Sequence, residues 1–459
     1  MRGVVFGFLS SAGILWWISN MLVEDVSRIL IVSAVILLVF YLSMFWGFVA
    51  FLISRMKRIS YSLAIFSFPF FWTSFEFLRS LTSQLGFPWG SAGYSLSNLP
   101  SMIQIVSVTG LPGLTFSIIL FNSLIYWSVI QKSKGRRIRG LSIVILLFIF
   151  QVVIGHLILR KGENGANVRV SLIQANVLPE IKRRNEVDYR IELLKKMTLE
   201  ARKSGSDLIV WSETSIPCFY REGSNCIRRI QNIAKEAGIP IIAGAPECFL
   251  NPKTKKREYY NSAFLISARG KTAGKYRKIY LVQFGEHLPF DNTFPVLRKI
   301  HLGQGDYSQG NKFTVLSQGE FQFATLICFE SIFPRLVRKF VRNGAELLVN
   351  ITEDTWYGRT AGPYQHAEMS IIRAVENRIS VARCGNSGIS MLVDPYGRVL
   401  KKSAILERTI INGEIPLRKG ISFYTKYGDL FAWFIVAVSI ILFILPFFSY
   451  GMKRKINKL

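Results

Sequence analysis

Residues 321–330 read FQFATLICFE, and the fold turns on that stretch. Phe321–Ile327 has the apolar, aromatic-rich composition of a strand, and it ends on a single thiol, Cys328, followed by Phe329 and Glu330. A second strand of the same kind lies upstream. Asp207–Trp211 (DLIVW) ends on Ser212–Glu213–Thr214. Further out, Val168–Ala175, Ile239–Gly244, Asn261–Ile266, Phe313–Leu316, Glu346–Asn350 and segments 379–384 and 388–393 also read as strands. Helical stretches near 189–203, 227–237, 333–343 and 363–377 alternate with them. Alternation of this kind predicts a layered α/β domain, and such folds commonly carry their polar sites at strand ends.

On either side of this mixed segment the composition changes. Half of the 459 residues are hydrophobic, and the excess is concentrated in the first 160 residues and in one stretch near the C-terminus. About 20 mostly apolar residues cross a bilayer as a helix. Runs near 3–23, 28–53, 61–79, 108–130, 140–159 and 430–450 meet that description, the third interrupted by Glu76 and Arg79. The expected organisation is a helical membrane domain over 1–162 with about five spans, an α/β domain over 165–420, and a last span with a basic tail over 428–459. Lys and Arg collect on the cytoplasmic side of spans. The clusters at Arg2, at Arg55, Lys57 and Arg58, at Lys132–Arg139 and at Lys453–Lys458 all fall on one side of a six-span arrangement. The α/β domain then faces outward.

The net charge of +28 belongs partly to these clusters. A basic surface beside a bilayer meets anionic headgroups, and no nucleic-acid-binding motif accompanies it, so no nucleic-acid partner is expected. All five cysteines (Cys218, Cys226, Cys248, Cys328, Cys384) lie in the α/β segment. Cys218 and Cys226 are near enough in sequence to pair, but spacing alone leaves the pairing open. No zinc spacing and no glycine-rich phosphate loop occur, so neither a metal nor a cofactor is expected.

Taken singly, a cysteine after an apolar strand is ordinarily a small buried hydrophobe, a lysine beside Arg277 a solvated loop residue, and a glutamate after a strand a cap or surface acid. Together, Trp211–Pro217 (WSETSIP), Tyr276–Lys278 (YRK) with Leu281–Pro289 (LVQFGEHLP), and Leu326–Glu330 (LICFE) resemble the glutamate, lysine and cysteine motifs of the nitrilase, or carbon–nitrogen hydrolase, superfamily. Asn350–Gly358, Gln365–His366, Arg383–Gly388, Phe87–Gly90, Gln104 and Gly110–Gly113 extend the resemblance to its membrane branch, the apolipoprotein N-acyltransferases. Ser212 stands where that family usually has proline and Phe329 where it usually has tyrosine. Arg183 lies near a position usually held by tryptophan. The six spans compare with the family's usual eight, and Met1–Asn20 resembles its third.

The resemblance implies a nitrilase-like αββα sandwich inserted into an all-α membrane bundle. It implies Glu213 as general base, Lys278 as oxyanion stabiliser and Cys328 as nucleophile. Glu286, Glu330 and the Phe329 backbone N–H act in support, with Trp356, Tyr357, Phe290 and Arg183 at the substrate. The implied reaction moves a fatty acyl chain from a membrane phospholipid, through a Cys328 thioester, to the N-terminal amine of a diacylated apolipoprotein. The enzyme is then a multi-pass protein of the bacterial inner membrane with its α/β domain on the periplasmic side. Two alternatives are a membrane-tethered amidase of the nitrilase type and a non-catalytic membrane scaffold.

Overall fold

The computed structural model describes residues 1–21, 26–81, 86–160, 165–177, 187–253, 255–283, 285–287 and 307–456, with side chains to 446. The chain divides into two units. One comprises Met1–Ser19, Ser27–Gly162 and Ser422–Leu459, the other Asn20–Val26 and Glu163–Ile421.

The first unit is helical. Its main helices are α1 (Arg2–Leu15), α2 (Arg28–Lys57), α3 (Tyr61–Leu78), α4 (Leu111–Val129), α5 (Lys134–Arg160) and α10 (Leu430–Ile456). Four segments, Arg2–Asn20, α2, α4 and α5, are long and apolar enough to cross a membrane among the described residues. In lipid every backbone group must be satisfied within the segment, which is why these runs are helices and not strands. α3 is 18 residues long and carries Pro69. Arg55 and Lys57 end α2, where cations suit the helix dipole.

The second unit is built from twelve strands in two six-stranded sheets. They are β1 (Asn167–Gln174), β2 (Leu208–Trp211), β3 (Ile241–Leu250), β4 (Arg257–Ile266), β5 (Thr272–Arg277), β6 (Val315–Gln318), β7 (Phe321–Ile327), β8 (Leu347–Thr352), β9 (Ser380–Gly385), β10 (Met391–Val393), β11 (Val399–Lys402) and β12 (Thr409–Pro416). The strand orders are β12-β1-β2-β3-β4-β5 and β11-β10-β9-β8-β7-β6. Each sheet has a parallel core, β1–β2–β3 and β7–β8–β9, flanked by antiparallel strands. Parallel neighbours need a long crossover. The crossover helices are α6 (Val187–Arg202), α7 (Asn225–Ala237), α8 (Pro334–Arg342) and α9 (Gly362–Asn377).

α6 and α7 bury Ile191, Leu194, Ile227, Ile230 and Ile233 against Ile173, Ile209, Trp211 and Ile241 of the first sheet. The sheets face each other: the Cys384 thiol of β9 donates to the carbonyls of Ile173 and Val210, at 3.4 and 3.3 Å. The result is the αββα sandwich. The sequence reading places strands at Asn261–Ile266 and Phe313–Leu316. The structure has the longer β4, which pairs with β3 over ten positions, and the shifted β6. β5, β11 and β12 were not expected. β12 (TIINGEIP) is a weak strand former with its Asn, Gly, Glu and Pro, and eight paired positions along β1 hold it extended.

Candidate active site

The three motif residues sit at the ends of parallel-core or neighbouring strands. Glu213 follows β2, in a turn where Thr214 takes a left-handed φ of 48°. β3 approaches this turn so closely that a Cβ on Gly244 would lie 2.7 Å from the Glu213 Cα, so the position requires glycine. The Glu213 side chain is 7% exposed. It accepts from Asn261 Nδ2 at 2.7 Å and from the Glu353 N–H at 2.9 Å. Burial raises its pKa, opposed by Lys278 and the Asn261 hydrogen bond and reinforced by the Glu286 and Glu353 charges.

Lys278 follows β5, and its backbone N–H donates to the Asn261 carbonyl at 2.8 Å. Its side chain is 1% exposed. A buried ammonium is costly unless paired, and here two carboxylates meet it. Nζ lies 2.8 Å from Glu286 Oε2 and 3.6 Å from Glu213 Oε1. Burial alone would lower its pKa. The Glu286 and Glu213 carboxylates, with the Cys328 sulfur whenever it is ionised, outweigh that and raise it, so the group stays an ammonium. Asn261 Nδ2 also donates to Glu286 Oε1 at 2.7 Å, so one amide joins the two carboxylates that flank the cation.

Cys328 follows β7 as the first residue of a 3-10 turn, Cys328–Ile332, and takes a φ of 51°. A non-glycine residue in the left-handed region costs of order 1 kcal/mol or more and marks functional turns. The thiol is buried. Burial, with the Glu213 charge, pushes its pKa well above the usual thiol value, against the Lys278 ammonium. The resting group is therefore the neutral thiol.

Glu330 fixes this turn to the lysine strand. It accepts from Tyr276 Oη at 2.6 Å and from the N–H groups of Ile279 and Tyr280 at 2.7 and 3.1 Å. Its other oxygen accepts from the Ile327 N–H at 2.8 Å. Burial pushes its carboxyl up to about 7, opposed by these hydrogen bonds. Glu330 thus bears on Lys278 through its chain neighbours, the Tyr276 hydroxyl before it and the Ile279 and Tyr280 N–H groups after it, whereas Glu286 pairs with the ammonium directly.

Behind the cysteine lies a buried polar network. Asp354 Oδ2 accepts from Arg383 at 2.7 Å, and Asp354 Oδ1 lies 2.9 Å from His366 Nδ1. His366 Nε2 is 3.2 Å from Ser331 Oγ and 3.3 Å from the Cys328 carbonyl. Arg383 also donates to Ile389 O and to Asn350 Oδ1, and Asn350 Nδ2 donates to Leu326 O at 3.1 Å. Although burial disfavours its charge, Arg383 and His366 hold the Asp354 carboxyl well below the carboxylate range. Burial lowers the His366 pKa, and Arg383 lowers it further. Ligand atoms of Cys328, Asp354 and His366 lie within 4.8 Å of one another. The donor set does not suit a metal, because Arg383 already supplies the positive charge that Asp354 faces.

A carbon–nitrogen hydrolase family model matches residues 169–423, and a model of the apolipoprotein N-acyltransferase N-terminal domain matches residues 1–124. The apolipoprotein N-acyltransferase of Geobacter metallireducens is 35% identical over 454 residues, covering 97% of this chain and 86% of its own length. The chain belongs to the apolipoprotein N-acyltransferase family. The Chlorobaculum tepidum apolipoprotein N-acyltransferase is 30% identical over 403 residues, covering 82% of this chain and 75% of its own length. Saccharomyces cerevisiae Nit3, of the nitrilase superfamily, is 20% identical with a TM-score of 0.44, over 56% of this chain and 92% of its own.

As a member of the apolipoprotein N-acyltransferase family, the protein is a membrane-embedded acyltransferase. Of the residues read from its sequence, Glu213, Lys278, Cys328, Glu286, Glu330 and Phe329 fall in this neighbourhood, and Phe329 packs edge-on against Phe333 at 5.2 Å. Tyr357 is buried, with its ring 6.3 Å from that of His366, and Trp356 is 37% exposed. Phe290 and Arg183 lie outside the described residues. Asn261 and the Asp354–His366–Arg383 network carried no role in the sequence reading. Asn261 stands inside an ordinary strand, so only the pairing of β4 with its neighbours reveals it. Asp354, His366 and Arg383 lay inside motif segments, but their mutual contact is non-local.

Asn261→Ala removes a donor that favours the ionised form of Glu213. The general base that the sequence resemblance implies for Glu213 must be ionised to act, so on that reading activity is present above its pKa and lost as pH falls through it. The acid limb of kcat/KM is expected to move to higher pH. The loss at pH 6 is expected to be about tenfold, larger than at pH 8. A pH–rate profile of the two proteins checks this.

Proposed function

We propose that the protein carries a fatty acyl chain from a membrane phospholipid to the α-amino group of a diacylglyceryl-cysteine at a lipoprotein N-terminus, through a thioester on Cys328. The observation that carries this reading is the buried ammonium of Lys278, set between Glu213 and Glu286 and in the field of the Cys328 thiol. That arrangement supplies a base, a nucleophile and a fixed positive charge where negative charge develops.

In the first half-reaction Cys328 Sγ attacks the ester carbonyl while Glu213 takes the thiol proton. Lys278 and the Phe329 N–H stabilise the tetrahedral oxyanion. The C–O bond breaks, the proton passes to the departing oxygen, and a lysophospholipid leaves. In the second, the lipoprotein amine attacks the thioester and yields a proton to Glu213. The C–S bond breaks and the proton returns to Cys328 sulfur. Both substrates are held in a bilayer, which fits the joining of a nitrilase-type unit to apolar helices. Aromatic Trp356 and Tyr357, and Phe290 and Arg183, are proposed to meet the substrates.

The test is intact-protein mass spectrometry after incubation with phospholipid. One acyl chain of added mass, absent in Cys328→Ala, is expected, and a diacylated lipopeptide then becomes triacylated and discharges it. Release of free fatty acid with the peptide unchanged would make the protein a hydrolase instead.

The catalytic unit is further proposed to face the periplasm of a bacterial cell, with the inner membrane holding the helices. The placement of the basic clusters supports this. So does the Cys218–Cys226 disulfide, since disulfides persist in oxidising compartments. The bond closes a short loop after the Glu213 turn. Replacing both cysteines by serine is expected to remove about 2–3 kcal/mol of stability through loop entropy. Comparative thermal melting of the purified proteins measures this. Ready alkylation of both thiols in intact spheroplasts before any reduction would contradict the placement.

A further inference from the structure

Arg190 stands in the first turn of α6 and is 8% exposed. It opens the buried stripe that Leu194, Met197 and Ala201 continue, so an apolar side chain would serve the packing at its position. A guanidinium is disfavoured there on two counts. Burial strips its water, and the positive end of the helix dipole repels a cation. Burial accordingly lowers its pKa, against the Glu353 charge. The neighbouring acids of α6 are engaged elsewhere: Asp188 and Glu192 both pair with Arg229 of α7.

The contacts of Arg190 lie in the turn after β2. Nη2 donates to the Thr214 carbonyl at 2.9 Å and to the Ser215 carbonyl at 3.1 Å. Nε is buried and has no hydrogen-bond partner among the described residues. Thr214 is the residue that takes the left-handed φ of 48°. The neighbouring strand β3 holds the chain on either side of this pair. The Gly244 N–H donates to the Ser212 carbonyl at 3.3 Å, and the Ile216 N–H donates to the Gly244 carbonyl at 3.1 Å. β3 thus fixes residues 212 and 216, and Arg190 fixes 214 and 215. Glu213 lies within this frame, with its carboxylate on Asn261 and near Lys278.

We propose that Arg190 is a positioning residue for the acyl-transfer base: its guanidinium holds the left-handed turn at Thr214 and so sets where the Glu213 carboxylate points. Hydrogen bonds from a charged donor are stronger than neutral ones. A threonine keeps a left-handed backbone only where surrounding contacts over-determine it. The base must meet the Cys328 thiol in a narrow geometry, and a misplacement of about 1 Å costs up to about 10²-fold. The inference rests on the acyl-transfer reading and adds to it a residue that touches neither substrate nor the reacting atoms.

The test is single-turnover acylation of the full-length protein by phosphatidylglycerol in detergent micelles, followed by time-resolved intact-mass measurement. The amplitude counts folded, competent protein, and the rate constant reports the geometry of the base. Arg190→Met is expected to lower the rate constant at saturating lipid by about 10–100-fold and to leave the half-saturating lipid concentration unchanged. Arg190→Lys keeps the charge but not the planar fork, and is expected to fall between the two. Thr214→Gly, added to Arg190→Met, is expected to recover part of the rate, because glycine takes the left-handed φ without help. A reduced amplitude with an unchanged rate constant in Arg190→Met would make Arg190 a merely structural residue and overturn the proposal. Failure of Thr214→Gly to raise the rate overturns it as well. Should Arg190→Met not fold, a wild-type rate constant in Arg190→Lys overturns it in the same way. Absence of any adduct on the unaltered protein would instead overturn the acyl-transfer reading, and this inference with it.

Discussion

Lys278→Met is expected to slow acylation of Cys328 by at least about 10²–10³-fold, the usual cost of losing one oxyanion donor. A second effect adds to it. With the ammonium gone, the buried Glu213 and the part-buried Glu286 remain bridged by Asn261 Nδ2. The Glu286 charge then raises the Glu213 pKa without an ammonium to oppose it. Because Lys278 acts to lower the Glu213 pKa, its removal moves the acid limb to higher pH. The two effects separate experimentally. Raising the pH restores the ionised base and recovers part of the rate, but it cannot restore the oxyanion donor. Time-resolved intact-mass measurement of the acylated protein across pH shows both. Full recovery at high pH would mean that Lys278 serves only to keep Glu213 ionised.

Removing Cys328, the proposed nucleophile, is expected to cost still more. Cys328→Ala should form no acyl adduct and lose about 10⁶ in turnover, as loss of a nucleophile does in other acyl-transfer enzymes. The backbone adds a second readout. Cys328 has a φ of 51°, which glycine adopts freely and alanine does not. Cys328→Gly should therefore be as inactive as Cys328→Ala yet about 1 kcal/mol more stable, a difference of about 2–4 °C in melting temperature. An alanine variant that still gains the mass of an acyl chain would place the nucleophile elsewhere. Equal melting temperatures would mean that the turn relaxes when the thiol is removed.

Both results depend on how the cysteine turn is held. Glu330 ties Ile327, Tyr276, Ile279 and Tyr280 together from one side. From the other side His366 and Asn350 reach the Cys328 carbonyl, and Asp354 and Arg383 stand behind them. Burying so many charges is tolerated because almost every one meets an opposite charge or several donors. The strained turn is therefore enforced by polar contacts on both sides, and not by the local preference of its own residues.

Much of this protein was legible from its residues alone. Short apolar strands ending on Glu213 and Cys328, alternating with helical stretches, specify an α/β layer, because burial of a parallel core demands that pattern. The long uncharged runs specify helices, because only a helix satisfies its own backbone in lipid. Glu213, Lys278 and Cys328 stood out by their neighbours in sequence. Tertiary structure alone decided the environment that gives those groups their chemistry. Lys278, a loop lysine beside Arg277 in the sequence, is buried because β5 pairs with β4 and carries it to Asn261, Glu213 and Glu286. The joining of two carboxylates by Asn261, the network behind Cys328, and the disulfide partner of Cys218 all link residues through pairings that no local propensity records. Charge separations of a few ångströms are set by the packing of whole strands, and the order of residues along the chain does not contain them.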